Sequence, residues 1–145
     1  SFAHFTSQLF VKTGTAPVGT AHPDNTSLTG KWRNMSVMPT VFPSHMYVLA
    51  PDHLWYLALQ PDGPGRTRIR YGAALAPEVL AAQTNPQAYI AETKAFLDAV
   101  QLEDKQVVEG IFAGAKAPLS SPGPLSWLER ENHEFTQYLA RRLCN

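Results

Sequence analysis

The sequence predicts an α+β fold, because segments with the pattern of antiparallel strands come first and helical segments follow them. Between residues 45 and 75, apolar and polar side chains alternate in short runs that are separated by turn signals. A helical pattern then runs from Asn85 to about Gly110, and another ends near Leu143. A curved antiparallel sheet that grips the long helix fits this order. A length of 145 residues is typical of one domain, so residues 1–145 are expected to form a single domain.

The strand segments are bounded by residues that favour turns. We expect strands over residues 27–37, 45–50, 53–59 and 67–75. Pro39 and Pro43 should follow the first strand as breaks, and Pro51-Asp52 should form the turn of a hairpin between the next two. A second turn is expected over 61–65. In the last strand, arginines alternate with Thr, Ile and Tyr, which predicts one packed face and one basic, hydrated face.

The N-terminal part of the chain gives weaker signals. Residues 1–12 are apolar and aromatic but show no clear period, and residues 13–25 are rich in Gly, Pro, Thr and Ala, which predicts a loop. Asn25 and Asn34 each begin a glycosylation sequon, but without a secretion signal these sequons carry little weight.

Helix-start signals precede each of the later segments. Ala76-Pro77-Glu78 predicts a short helix that ends near Gln83. For the long helix, Asn85 suits the N-cap, and Pro86 suits the first helical position, where no N–H is needed. Ser126 and Glu129 have the spacing of a capping box at the start of the final helix.

A carboxylate interrupts the apolar stripe of the long helix. At about 100° per residue, the members of this stripe all fall within roughly 40° of Asp104: Leu97, Val100, Asp104, Val108 and Ile111. Because an unpaired buried carboxylate is costly, Asp104 should have an arginine, a set of hydrogen-bond donors or a metal cation as its partner. The alternative is a surface carboxylate on a helix that is turned differently.

The composition excludes several classes of function. The chain has 12 Lys and Arg and 12 Asp and Glu, so its net charge does not favour nucleic acid or an anionic membrane. It has no apolar run of membrane-spanning length, no phosphate-binding loop and no serine-hydrolase motif. Its one cysteine, Cys144, cannot form an internal disulfide, which favours a cytoplasmic location.

Three segments resemble a known family. Residues 103–109 read E-D-K-Q-V-V-E, residues 55–57 and 61–71 are similar to a late strand pair, and Gly123-Pro124-Leu125-Ser126 with Glu129 is similar to the entry of a last helix. These segments resemble the catalytic domain of Rieske non-haem iron ring-hydroxylating oxygenase α subunits. The resemblance implies that Asp104 is the carboxylate of a triad of two histidines and one carboxylate that binds iron.

The histidine pair of that triad departs from the family pattern. His4 resembles the first ligand of the family's His-x4-His motif, but Leu9 stands where the second should be. With an insertion, Phe10-Val11-Lys12 would align, again without a histidine. The predicted metal ligands are therefore Asp104 and His4. The other four histidines are more simply explained by solvent exposure or packing: His22, His45, His53 and His133.

The resemblance also implies cofactors and partners. Mononuclear Fe(II) would activate dioxygen for hydroxylation or demethylation of an aromatic or apolar small molecule. A Rieske [2Fe-2S] cluster needs two cysteines, so it is expected only in an absent domain or a neighbouring subunit. Electrons would come from a ferredoxin or reductase, and a homotrimer or hetero-oligomer is expected. Family members have further strands upstream, so the chain is expected to be a fragment or to lack segments.

Two alternatives remain open. With an incomplete histidine pair, the same fold could be a metal-free module that binds a small apolar ligand. A structural or oligomerisation piece without any site is the third interpretation.

Overall fold

A computed structural model of the chain describes residues 5–11 and 19–144. Strands precede the main helices, so the predicted α+β class is confirmed. The elements are β1 (Phe5–Val11), β2 (Met35–Val41), β3 (His45–Leu49), β4 (His53–Pro61), β5 (Thr67–Leu75), α1 (Pro77–Ala82), α2 (Pro86–Ala115) and α3 (Arg130–Leu143), with 3₁₀ helices at Gly30–Arg33 and Trp127–Glu129. The chain divides into two compact units, Ser1–Ala82 with Trp127–Asn145 and Gln83–Ser126.

The first unit contains an antiparallel sheet with the strand order β1-β2-β3-β4-β5. The predicted hairpin forms between β3 and β4, where Leu49 pairs with Leu54. The predicted strand 67–75 is β5, and it pairs with β4 along its full length, from His53 opposite Leu75 to Pro61 opposite Thr67. Sequence patterns missed β1 because residues 1–12 lack an alternating period, which is the signal on which a strand prediction depends.

The turn between β4 and β5 forms where the glycines predict it. Gly63 and Gly65 have φ angles of 85° and 73°, a left-handed conformation that residues with a Cβ rarely adopt. The Asp62 N–H donates to the Arg66 carbonyl at 3.0 Å and closes the turn. The glycines thereby fix the register of the two longest strands.

The strand expected over 27–37 is wrong in its position. Residues 30–33 form a 3₁₀ helix instead, and β2 covers Met35–Val41. Pro39, expected to follow the strand as a break, lies inside β2 and pairs with Ser7 of β1. The β2–β3 register passes from Val37 opposite Leu49 to Thr40 opposite Met46 and leaves Pro39 unpaired on that side. Proline is tolerated there because its missing N–H removes only one bond of the ladder.

The expected packed face of β5 is also wrong. Ile69 and Tyr71 are 46% and 39% exposed. The arginines of the opposite face are exposed as well. In the described sheet β5 has a strand neighbour on one side only, β4. Alternation predicted which side chains share a face, but the cover on that face depends on the packing of other elements.

Within the first unit, helix α3 packs against the turn after β2 through aromatic side chains. Phe42, at the turn after β2, is buried, and its ring centroid lies 5.2 Å from that of Phe135 and 5.6 Å from that of Tyr138. The final helix is confirmed, with a 3₁₀ turn from Trp127 before the α-helical hydrogen bonds begin. Val79 of α1 is fully buried in the same unit.

The second unit is built on α2, a helix of 30 residues. The predicted N-cap is confirmed, because the Asn85 side chain accepts a hydrogen bond from the Ala88 N–H at 3.1 Å. The helix ends five residues later than Gly110, at Ala115. Ion pairs four residues apart, Lys94 with Asp98 and Lys105 with Glu109, support its exposed side. None of the described helices is both long and apolar enough to cross a lipid bilayer.

Candidate functional site

Asp104 lies in the middle of α2, and its side chain is exposed. The expectation that this carboxylate turns inward is therefore wrong for the described chain. Val108 and Ile111, which share its stripe, are 62% and 66% exposed as well. Helical spacing predicted the members of the stripe, but it contains no information about what covers them. Because the exposed carboxylate of Asp104 stays hydrated, it has no desolvation cost that a partner would have to offset.

Among the described residues, no charged side chain occupies the Asp104 carboxylate. The adjacent Lys105 ammonium lies 2.8 Å from Glu109 and is engaged there. Among the described residues, Asp104 forms no ion pair. Its predicted partner in metal binding, His4, lies outside the described residues.

His22 is held within its own loop. Its Nδ1 accepts a hydrogen bond from the Asp24 N–H at 3.2 Å and lies 3.4 Å from Asp24 Oδ2. Its backbone N–H donates to Asp52 Oδ2 at 2.8 Å. Local contacts thus account for the orientation of this ring.

The histidines at the ends of the hairpin have different environments. His45 is exposed, and its ring stacks on that of Tyr47 with the centroids 6.4 Å apart. His53 is half-buried at the start of β4, and desolvation lowers its pKa, while the charge of Asp52 partly opposes this shift. His133 is exposed on α3. These positions agree with packing and solvent exposure, the simpler interpretation for each of them.

The described residues do not by themselves fit an iron centre. Within residues 5–11 and 19–144, no group of three or more His, Cys, Asp or Glu side chains is placed to hold a metal ion. A centre of the oxygenase type requires two imidazoles and one carboxylate on a single metal. The assignment of Asp104 and His4 as ligands therefore stays a prediction.

A buried asparagine organises the loop that precedes β2. Asn25 is 1% exposed, and its Nδ2 donates to the Pro51 carbonyl at 2.7 Å and to Asp52 Oδ1 at 2.9 Å. Its Oδ1 accepts from the Leu28 N–H at 3.2 Å. Sequence analysis treated Asn25 only as a sequon in a loop. Its role was not predictable, because Pro51 and Asp52 are far away in the sequence.

Arg33 completes the same network. Its guanidinium donates to the carbonyl oxygens of His22 at 3.1 Å, Asn25 at 2.5 Å and Leu28 at 3.1 Å. The Ala21 N–H donates to the Arg33 carbonyl at 2.7 Å, so the ends of the loop meet. We call residues 21–33 the anchored loop. Compact closed loops of this kind are frequently functional, and this one is cross-linked by the hydrogen bonds of Asn25 and Arg33.

Comparison with known families decides the class of the chain. The family described as ring hydroxylating alpha subunit (catalytic domain) matches residues 13–144. The chain belongs to this family. No curated protein and no solved structure matches the chain. The matched range includes the anchored loop, β2–β5 and all of the helices, and it contains Asp104 but begins after His4.

Membership of the ring-hydroxylating family has consequences for the chemistry. It gives the chain a general oxygenase role within the oxidoreductases. The family generally uses non-haem iron, dioxygen, aromatic substrates and electron-transfer partners. The chain has one cysteine, so it does not contain the cysteine ligands that a Rieske cluster needs.

Proposed function

We propose that the chain is the catalytic-domain part of an oxygenase subunit that hydroxylates or demethylates an aromatic or similarly apolar small molecule with dioxygen. The observation that carries this proposal is the family match over residues 13–144. The α+β order of elements supports it, because an antiparallel sheet followed by a long helix is the arrangement implied by the family resemblance.

We propose further that Asp104 and His4 are ligands of a mononuclear iron. Asp104 stands in the E-D-K-Q-V-V-E segment of α2, inside the matched range. Carboxylate and imidazole are the side chains from which iron centres of this class are built. The second imidazole has no assigned residue in this chain, since Leu9 or Lys12 stands at its expected position.

The electron donor and the Rieske cluster would be supplied by other domains or subunits. Electrons would reach the iron from a ferredoxin or reductase through a Rieske cluster in another domain or a neighbouring subunit. A homotrimer or hetero-oligomer would bring that cluster close to the iron. A cytoplasmic location would keep the cluster and the single thiol of Cys144 reduced.

Iron content tests the ligand assignment. The purified chain is loaded with Fe(II) under anaerobic conditions, desalted and measured by elemental analysis, together with Asp104→Ala and Glu103→Ala. Both variants remove one exposed carboxylate from the same turn of α2, so they share any general effect of charge. We expect Asp104→Ala to lose bound iron and Glu103→Ala to keep it. Equal iron in wild type and Asp104→Ala would reject the ligand role.

The runner-up function is a metal-free module that binds small apolar ligands. The incomplete histidine pair supports it, because Leu9 or Lys12 stands where the family has its second imidazole. Wild-type chain that retains no iron but binds a fluorescent naphthalene probe would support this function. Stoichiometric iron with loss upon Asp104→Ala would exclude it.

A further inference from the structure

Three backbone carbonyl oxygens of the anchored loop meet at a single guanidinium. Arg33 Nη1 donates to the Asn25 oxygen at 2.5 Å and to the Leu28 oxygen at 3.1 Å. Arg33 Nη2 donates to the His22 oxygen at 3.1 Å. Each carbonyl oxygen is the negative end of a peptide dipole, so three of them brought together need donors that carry positive charge. The loop therefore surrounds a position for a cation, which its own arginine fills.

The arrangement of these oxygens suits a planar cation with several N–H donors. A guanidinium carries its donors in one plane, and two nitrogen atoms of this one serve three acceptors. A compact ammonium group has the same charge but lacks this planar set of donors. Arg33 is half-buried, and it forms no ion pair with a carboxylate in the described part of the chain. Its charge is stabilised by the loop carbonyls and not by a direct ion pair.

Asp52 supplies a counter-charge from the other side of the same residues. The His22 N–H donates to Asp52 Oδ2 at 2.8 Å, and the Asn25 side-chain amide donates to Asp52 Oδ1 at 2.9 Å. The backbone carbonyls of these two residues accept from Arg33. His22 and Asn25 thus lie between a cation and an anion. Hydrogen bonds in such a chain polarise one another, so the two charges strengthen each other without being in contact.

We infer that the anchored loop contains a guanidinium site, formed by the carbonyl oxygens of His22, Asn25 and Leu28 and occupied by the side chain of Arg33. Asp52 completes the site as the remote anion. All of these contacts lie within the first compact unit and join described residues. When the side chain of Arg33 is shortened, the site will bind a free guanidinium ion in its place.

Chemical rescue tests the site. The variant Arg33→Ala should lower the thermal unfolding midpoint by about 5–10 °C, because three carbonyl oxygens lose their donor. Guanidinium chloride at about 20 mM, far below denaturing concentrations, should recover about half of this loss by binding to the folded state. Wild type should show no such rise, since its site is filled. If the variant is unfolded on its own, the same addition should restore a cooperative transition.

Two comparisons exclude general effects of salt and of lost charge. Sodium chloride and tetramethylammonium chloride at the same concentration provide cations without N–H donors and should give no recovery. Lys31→Ala removes an exposed cation from the same 3₁₀ helix, and guanidinium should not raise its midpoint. Equal recovery by sodium, or no recovery by guanidinium, would overturn the guanidinium site.

The contribution of Asp52 is measured in the Arg33→Ala background. Adding Asp52→Asn keeps the size of the side chain but removes its charge, and it should weaken guanidinium binding about tenfold. Adding Asp24→Asn instead removes an exposed carboxylate of the same loop and should weaken binding less. Equal guanidinium affinities in these two double variants would overturn the role of Asp52 as the remote anion.

Discussion

The side-chain amide of Asn25 donates to the carboxylate of Asp52 at 2.9 Å, across 27 positions of sequence. The same amide donates to the Pro51 carbonyl at 2.7 Å, and its oxygen accepts from the Leu28 N–H. Both amide protons and the amide oxygen are therefore used, which is the condition for burying a polar side chain without a large penalty. This contact joins the anchored loop to the turn between β3 and β4.

Replacing Asn25 with alanine should lower the free energy of unfolding by about 2–3 kcal/mol, because it leaves the Pro51 carbonyl and the Leu28 N–H without their partner. Chemical denaturation measures this change. Thr26→Ala is the matched control, because Thr26 is the next residue and is exposed, and it should change stability by less than about 0.5 kcal/mol. Equal effects of the two variants would show that the buried amide is not what holds the loop.

The variant Asn25→Asp tests the direction of the same hydrogen bonds. It keeps the size of the side chain but replaces the two amide protons with an oxygen that faces the carboxylate of Asp52 and the Pro51 carbonyl. We expect it to be more destabilising than Asn25→Ala at neutral pH, because like charges then meet in a buried place. The difference should shrink as the pH is lowered and a carboxylate is protonated. An aspartate variant as stable as wild type would contradict the assigned orientation of the amide.

Tyr56 and Gly72 form a coupled pair across β4 and β5. A Cβ added at Gly72 would lie 2.7 Å from the Tyr56 hydroxyl oxygen, so the tyrosine ring occupies the space over the glycine. Gly72→Ala should therefore destabilise the wild-type protein by about 1 kcal/mol through displacement of this ring. In a Tyr56→Ala background the same substitution should stabilise the protein, because alanine suits a strand better than glycine. A double-mutant cycle by denaturation measures the coupling, and additive effects would contradict the contact.

We expect the folded protein to lose stability in mild acid because of the half-buried His53. Burial lowers its pKa below 6.5 in the folded protein, while the charge of Asp52 opposes only part of this shift. As the pH falls below 6.5, the unfolded chain binds the proton first, so the free energy of unfolding decreases until the folded-state pKa is reached. His53→Gln should show a flatter dependence between about pH 7.5 and 5.5. Identical slopes in the wild type and in His53→Gln would contradict this account.

The sequence predicted the elements whose signals are local. Asn85 as the N-cap of α2, the glycine turn before β5 and the alternation of β5 depend on residues within a few positions of one another. The family assignment belongs to the same class of information, since E-D-K-Q-V-V-E is a contiguous segment.

Tertiary structure alone decided which of these side chains are covered. Spacing predicted that Leu97, Asp104 and Val108 share a stripe, yet Leu97 is buried while Asp104 and Val108 are exposed, because burial depends on elements elsewhere in the chain. Asn25 presents the reverse case, since a loop residue without a periodic signal became one of the most buried side chains. Its partners Pro51 and Asp52 are brought to it only when the hairpin and the anchored loop pack together. Local patterns determine secondary structure and motifs, whereas burial and long-range hydrogen bonds are properties of the folded whole.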